Sequence, residues 1–433
     1  MDKKLNIFWF RRDLRLHDNH GLFRALSEDL PVLPIFIFDK NILDKLEEPE
    51  DARVEFIHNE IKDLKNKLEK SGSSLIVRYG RPEKIFEELT EEYDIAGIFS
   101  NYDHEPYGRE RDKKIGELAE KKGVEFRSFR DHIIFDPSGV LKDDGDPYTV
   151  FTPYKNKWLK LFKRKMLKEH PSEEKTGNFF KISSMPFPGL EEMGFKPAGI
   201  EIPPREFPEK VIKSYDKNRD IPGIRGTTRL GIHLRFGTIS IRKLMERALD
   251  LNKTYAEELI WREFFMMIMW HFPVVENRSF KKKYENIPWR NNEDEFRAWC
   301  EGKTGYPIVD AGMRELNQTG FMHNRVRMIT ASFLTKHLLI DWRWGEAYFG
   351  KKLLDYELSS NNGGWQWAAG SGCDAAPYFR IFNPESQTKK FDPEHQYISK
   401  WVPEADSEHY PPEIVNHREA RERALSTYKS ALN

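Results

Sequence analysis

Four short apolar runs, Asn6–Phe10, Pro31–Phe38, Ser74–Tyr79 and Ile95–Ser100, alternate with stretches of helical spacing such as Ala52–Lys70 and Arg109–Lys122. Apolar runs of strand length separated by amphipathic helices are what a parallel sheet buried on both faces requires. Residues 1–130 are therefore expected to form a doubly wound, Rossmann-like α/β domain. Residues 131–205 break the rhythm with many prolines and a basic cluster from Lys155 to Lys168, and read as an interdomain connector. From 206 to 433 strand patterns vanish. Helical periodicity runs instead through Ile239–Leu251, Ala256–Met269, Ala311–Gln318, Val326–His337 and Trp344–Leu354. The expected architecture is an α/β domain followed by an all-helical one.

Several chemistries are excluded by what is missing. The first apolar run leads into FWFRRDLRLHDN and not G-x-G-x-x-G, so an ordinary dinucleotide site there is not expected. The GKT at 302–304 has Arg297 where a phosphate-binding loop needs its first glycine. With no H-E-x-x-H, C-x-x-C or G-x-S-x-G, neither a metal site nor a serine hydrolase has support. Two cysteines, Cys300 and Cys373, cannot make a disulfide framework and suit a reducing compartment. The N-terminus lacks a signal-peptide run, and the longest interior apolar run, Phe264 to Trp270, is far short of the roughly 20 residues of a membrane helix. The expectation is a cytoplasmic protein with no membrane partner.

Three segments carry unusual chemistry for a helical domain. In NNGGWQWAAGSGCDAAPYFRIFNP at 361–384, Gly363 and Gly364 would let backbone approach a ligand, and Trp365 and Trp367 offer flat faces; a Gly-rich turn with buried aromatics is the plainer reading. In YAEELIWREFF at 255–265, Glu258 and Trp261 are neighbours on one helical face, suited to a base edge or simply to an amphipathic interface, while Arg262 and Glu263 point elsewhere as a solvated pair. In MHNRVRM at 322–328, Asn324 and Met328 share a face with Arg325 and Arg327 around the turn, and could line a pocket for a planar polar ligand.

Together these segments resemble the photolyase/cryptochrome family, specifically the class I cyclobutane pyrimidine dimer (CPD) photolyases. The resemblance extends through FWFRRDLRLHDN at 8–19, VFTPYKNKWL at 150–159, GTTRLGIHLRFGTIS at 226–240 and EGKTGYPIVDAGMRELNQTGFMHNRVRMITASFL at 301–334. It implies a light-dependent DNA-repair lyase: excited reduced FAD gives an electron to the dimer, the cyclobutane ring splits, and the electron returns. It also implies an antenna-type domain at 1–130 and an FAD-binding catalytic domain at 206–433.

By position, Tyr215, Thr227, Thr228, Arg229, Leu230 and Gly231 would hold the FAD diphosphate and ribityl. Asn361 would face the reactive ring nitrogen, Arg327 and Asp355 would pair beside the ring, and Glu357 stands where relatives have an aspartate contact. Trp261 and Trp367 would pack on the flipped dimer, Glu258 and Asn324 would hydrogen-bond its edges, and Met328 would sit against it. Glu258 is expected to be protonated with the dimer bound, as a donor toward the carbonyl that gains charge. Trp365, Trp342 and Trp289 match the family's electron-transfer chain, and Arg219, Arg325 and Gln387 match positions that meet DNA.

Asn324 directly after His323 argues for the cyclobutane dimer over the (6-4) lesion, and the alternative from another class is a cryptochrome-type blue-light sensor. Tyr107 and Gly108 occupy the places of the Asn-Glu pair of folate-binding relatives. A second antenna chromophore is therefore expected to be a deazaflavin or a second flavin, if the site is filled at all. A monomer acting on dimer-containing DNA is expected. The formal net charge is zero, with 70 basic and 70 acidic residues. Residues 1–150 hold 25 basic and 33 acidic residues and 151–433 hold 45 and 37, so only the second part should bind phosphate.

Overall fold

The computed structural model describes residues 4–433. Its chain divides into a sheet unit, Met1–Gly139 with Phe162–Arg205 and Leu230–Arg247, and a helical unit, Val140–Leu161 with Glu206–Arg229 and Ala248–Asn433.

In the sheet unit the four apolar runs become strands β1 (Leu5–Phe10), β2 (Val32–Asp39), β3 (Ile76–Gly80) and β4 (Ile95–Asn101), joined by β5 (Glu125–Phe129). The sheet is wholly parallel, in the order β3-β2-β1-β4-β5. Alternate side chains of β1 feed two cores: Phe8 and Phe10 pack on one face of the sheet, Ile7 and Trp9 on the other. Helices α1 (Ala52–Lys70) and α2 (Pro106–Lys121) are crossover elements. Asp51 caps α1 by accepting from the Arg53 backbone N–H at 2.9 Å, and Pro106 opens α2 where its missing N–H costs nothing. The basic run after β1 is structural. Arg15 and Arg242 both donate to Asp131, at 2.6 and 2.8 Å, and Arg242 also pairs with Asp18 at 2.9 Å, in a buried network. Burial alone would raise the Asp131 pKa, but the two guanidinium groups hold it below the ordinary carboxylate range.

The helical unit holds α3 (Phe151–Leu161), α4 (Lys253–His271), α5 (Glu293–Glu301), α6 (Asn324–Ser332), α7 (Trp342–Lys352) and α8 (Leu358–Ala369), with a π-helical turn, Phe333–His337, continuing α6. Asn252 caps α4 by accepting from the Tyr255 backbone N–H at 3.1 Å, and Asp341 caps α7 from Arg343 at 3.0 Å. The NNGGWQW segment, whose plainer reading was a Gly-rich turn, is instead the body of α8. The helix ends at Gly370, whose φ of +90° closes it. Gly363 is required by packing: a Cβ there would lie 2.2 Å from the Phe265 ring of α4. The helix exists because two helices meet face to face there, which outweighs the poor propensity of paired glycines. Among the described residues no helix is long and apolar enough to cross a membrane.

Candidate active site

The helical unit encloses a cavity of about 270 Å³. Helix α4 contributes Glu258, Trp261, Arg262 and Phe265; α6 contributes Asn324, Arg327 and Met328. The turn before α8 adds Asp355, Tyr356 and Glu357, and α8 itself adds Asn361, Gly364 and Trp365. The i, i+3, i+4 spacing places the α4 set on one face.

The charged groups on the wall are paired. Arg219 donates to Glu258 at 2.6 Å. One nitrogen of Arg327 donates to both oxygens of Asp355, at 3.0 and 3.1 Å, while its Nε bonds the Met322 carbonyl at 2.7 Å. Arg262 lies 3.4 Å from Glu357, and Glu263 is buried and accepts from the Trp158 indole N–H at 2.7 Å. The expectation of a solvated Arg262–Glu263 pair is thus corrected. Arg262 stands one turn beyond Glu258 and belongs to the wall, a place the i, i+4 spacing could have revealed. Asn361 donates to the Glu346 backbone carbonyl at 3.1 Å, and the Glu346 side chain accepts from Asn362 at 3.0 Å. Burial pushes the Glu346 carboxyl up to about 7, opposed by Asn362 and Arg343.

One face of Trp261 is taken by Phe151 of α3, with ring centroids 3.6 Å apart and planes 12° from parallel. Phe151 was not anticipated as a site residue, although its segment, 150–159, is among those that carry the family resemblance. Trp367 lines a neighbouring apolar pocket of about 20 Å³ with Trp261, Phe265 and Gly363, and not the larger cavity. Met328 meets the Arg325 guanidinium at 3.5 Å, and Arg325 pairs with Asp220 at 2.7 Å.

The expected residues from Tyr215 to Gly231, and Gln387, do not line this cavity. Tyr215 packs edge-on to Tyr255 at 5.0 Å, and Tyr255 shares a hydrogen bond of 3.1 Å with Thr228. Arg229 adopts a left-handed φ of +55° and reaches Glu315 at 3.5 Å. Thr227 precedes this pair, and Leu230 and Gly231 begin the helical turn Gly231–Arg235. Gln387 sits half-buried on the helix Pro384–Phe391. Trp365 and Trp342 are both buried in the main helical core, with Trp289 packed against it.

The wall suits a flat, polar ring system. A guanidinium–carboxylate pair and an amide are presented together, and a Cβ added at Gly364 would meet nothing within 4 Å, leaving backbone open to close approach. A family profile described as "FAD binding domain of DNA photolyase" matches residues 255–408, and one described as "DNA photolyase" matches residues 6–175. A deoxyribodipyrimidine photo-lyase of Escherichia coli is 37% identical over 474 residues, covering 98% of both chains. The chain belongs to the DNA photolyase family.

A deoxyribodipyrimidine photo-lyase from Synechococcus is 34% identical over 98% of this photolyase and 96% of its own length. Among solved structures, a bacterial class III photolyase from Agrobacterium tumefaciens superposes with a TM-score of 0.88 at 33% identity, covering 100% of this chain and 98% of its own. An archaeal photolyase from Sulfolobus tokodaii, solved with two FAD molecules, gives 0.84 at 36% identity over 99% of this chain and all of its own. The cavity residues from Glu258 to Trp365 all fall inside the FAD-binding match.

The sheet unit also bears on the antenna. A Cβ at Gly108 would lie 2.6 Å from Asp103, and Tyr107 donates to Asp39 at 2.5 Å. A glutamate at position 108 could not be fitted without moving Asp103.

Proposed function

We propose that this photolyase uses the cavity of its helical unit to hold a cyclobutane pyrimidine dimer and FAD against opposite parts of one wall. The activity is that of a deoxyribodipyrimidine photo-lyase, a light-dependent DNA-repair enzyme with FAD as cofactor. Bound reduced FAD supplies the electron that light drives into the dimer and receives it back after the ring has split.

Glu258, Trp261, Asn324 and Met328 form the dimer side. Trp261, backed by Phe151, offers its other face for stacking, and the Asn324 amide can both donate and accept along a pyrimidine imide. Glu258 exchanges Arg219 for the edge of the pyrimidine where charge develops. Trp367 adjoins the same neighbouring pocket as Trp261 and, by the family resemblance, packs on the dimer with it. Arg327, Asp355, Glu357 and Asn361 form the flavin side. The Arg327 charge favours an anionic ring, and Asp355 fixes the guanidinium in place. Tyr215, Thr227, Thr228, Arg229, Leu230 and Gly231 serve the diphosphate and ribityl, and Trp365, Trp342 and Trp289 carry electrons inward for reduction under light. Arg219, Arg325 and Gln387 meet the DNA, consistent with a balance of +8 in residues 151–433 against −8 in 1–150. We assign residues 1–130 to an antenna-type domain, 131–205 to a connector and 206–433 to catalysis, in a cytoplasmic monomer. A deazaflavin or second flavin suits the sheet unit better than a folate.

The reading is supported chiefly by one observation: Glu258, Trp261, Asn324 and Met328 line the same cavity as Arg327, Asp355, Asn361 and Trp365. Illuminating the reduced protein with thymine-dimer DNA should restore the absorbance of the monomeric bases, and Glu258→Ala should lower the yield. No restoration by the unsubstituted protein would overturn the repair reading in favour of a sensor.

A further inference from the structure

Trp365 is 2% exposed and forms part of the cavity wall, and its indole fills the space a Cβ would take at Gly345 of α7. Its ring neighbours are Phe349 at 5.0 Å and Trp299 of α5, edge-on at 6.0 Å with planes 72° apart. Trp299 is fully buried, and its indole N–H donates to the Thr330 carbonyl at 3.2 Å. A carbonyl dipole aimed at that nitrogen stabilises positive charge on the ring. Tyr348 of α7 then meets Trp299 at 5.8 Å. Its phenol donates to the Asn317 side-chain oxygen at 2.7 Å, at the solvent-exposed edge of the core, and to the Cys300 carbonyl at 3.2 Å.

We propose that Trp299 and Tyr348 form a second electron route to Trp365, separate from the one through Trp342 and Trp289. The inference rests on the placement of FAD in this cavity. Trp365 gives one electron to the light-excited oxidised flavin, Trp299 refills Trp365, and Tyr348 refills Trp299. An oxidised phenol is a strong acid, so Tyr348 sheds its proton along the Asn317 hydrogen bond to water and the charge is trapped. A soluble thiol then returns one electron and one proton to Tyr348 and becomes a thiyl radical, and two such radicals from two turnovers combine as disulfide. Each photon thus moves one electron inward and releases one proton outward. A buried indole in an aromatic cluster is ordinarily packing and nothing more. What sets this one apart is unbroken ring contact from a wall residue to a phenol with a proton acceptor.

The test is photoreduction of the FAD-loaded protein with thiol present, read by flavin absorbance, together with freeze-trapped electron paramagnetic resonance of the amino-acid radical. Trp342→Phe should retain light-driven reduction, and adding Trp299→Phe should abolish it. The unsubstituted protein should show a neutral tyrosyl radical that Tyr348→Phe removes. Abolition by Trp342→Phe alone, no further loss on adding Trp299→Phe, or absence of a tyrosyl signal in the unsubstituted protein would overturn the route. FAD content of each variant reports whether the fold survives, and the tyrosyl measurement does not depend on the tryptophan variants. Full photoreduction in Trp365→Phe would instead sink the placement of FAD itself.

Discussion

Phe151 and Trp261 stack in parallel at 3.6 Å, so one indole face belongs to the protein while the ring still borders the cavity. The pair fixes the orientation of the ring before anything binds, which reduces the ordering that binding must impose. Phe151→Ala should weaken binding of dimer-containing DNA by about 1 kcal/mol, roughly fivefold, the ordinary worth of a stacked aromatic pair. Fluorescence anisotropy titrations with and without the dimer check this. Binding of undamaged DNA should not change.

Adjacent glycines on α8 should respond in opposite ways. Gly363→Ala forces a methyl into the Phe265 ring and should cost about 1–3 kcal/mol in denaturant unfolding. Gly364→Leu extends into open space. It should leave the unfolding midpoint near that of the parent while lowering the FAD retained on purification, seen in the ratio of flavin to protein absorbance.

Glu346 links stability to pH. Its folded pKa of about 7 lies above the ordinary 4.5, so between those values the folded protein holds a proton that the unfolded chain has lost. Stability attributable to this group therefore falls as pH rises from about 4.5 to about 7 and is flat beyond. Glu346→Gln keeps an acceptor for Asn362 and removes the titration. It should raise stability at pH 8 by on the order of 2–3 kcal/mol relative to its effect at pH 4.5. Thermal melts across that range measure the difference.

Arg325 is held by Asp220 at 2.7 Å, and a phosphate must compete with that carboxylate. Asp220→Asn should tighten DNA binding at every salt concentration, whereas Arg325→Ala should weaken it and lower the slope of log affinity against log salt by about 1. A salt series on both variants separates the two effects.

The parallel sheet was legible in sequence because strands buried on both faces must be apolar throughout. Its fifth strand was not, since Glu125, Arg127 and Ser128 interrupt Phe126 and Phe129 at an edge that burial does not purify. The proposed dimer-facing set, Glu258, Trp261, Asn324 and Met328, came from the family resemblance, while helical spacing only grouped its members in pairs. Phe151 and Trp299 could not, because each acquires meaning only from a partner far along the chain, Trp261 in one case and Trp365 in the other. The helical state of Gly363 and Gly364 was hidden for the same reason: the ring that stabilises it belongs to Phe265, nearly a hundred residues earlier.

That contact between Phe265 and the Gly363 backbone also sets a clock. It clamps α4, which presents Glu258 and Trp261, against α8, which presents Asn361 and Trp365, with no spacer that could be compressed or relaxed. Electron tunnelling slows exponentially with separation, while the competing decay of an excited state does not depend on it. On the proposed placement of FAD and dimer, a tolerance in helix packing becomes a tolerance in timing, and the fraction of absorbed light that does useful work is set in part by the absence of one methyl group.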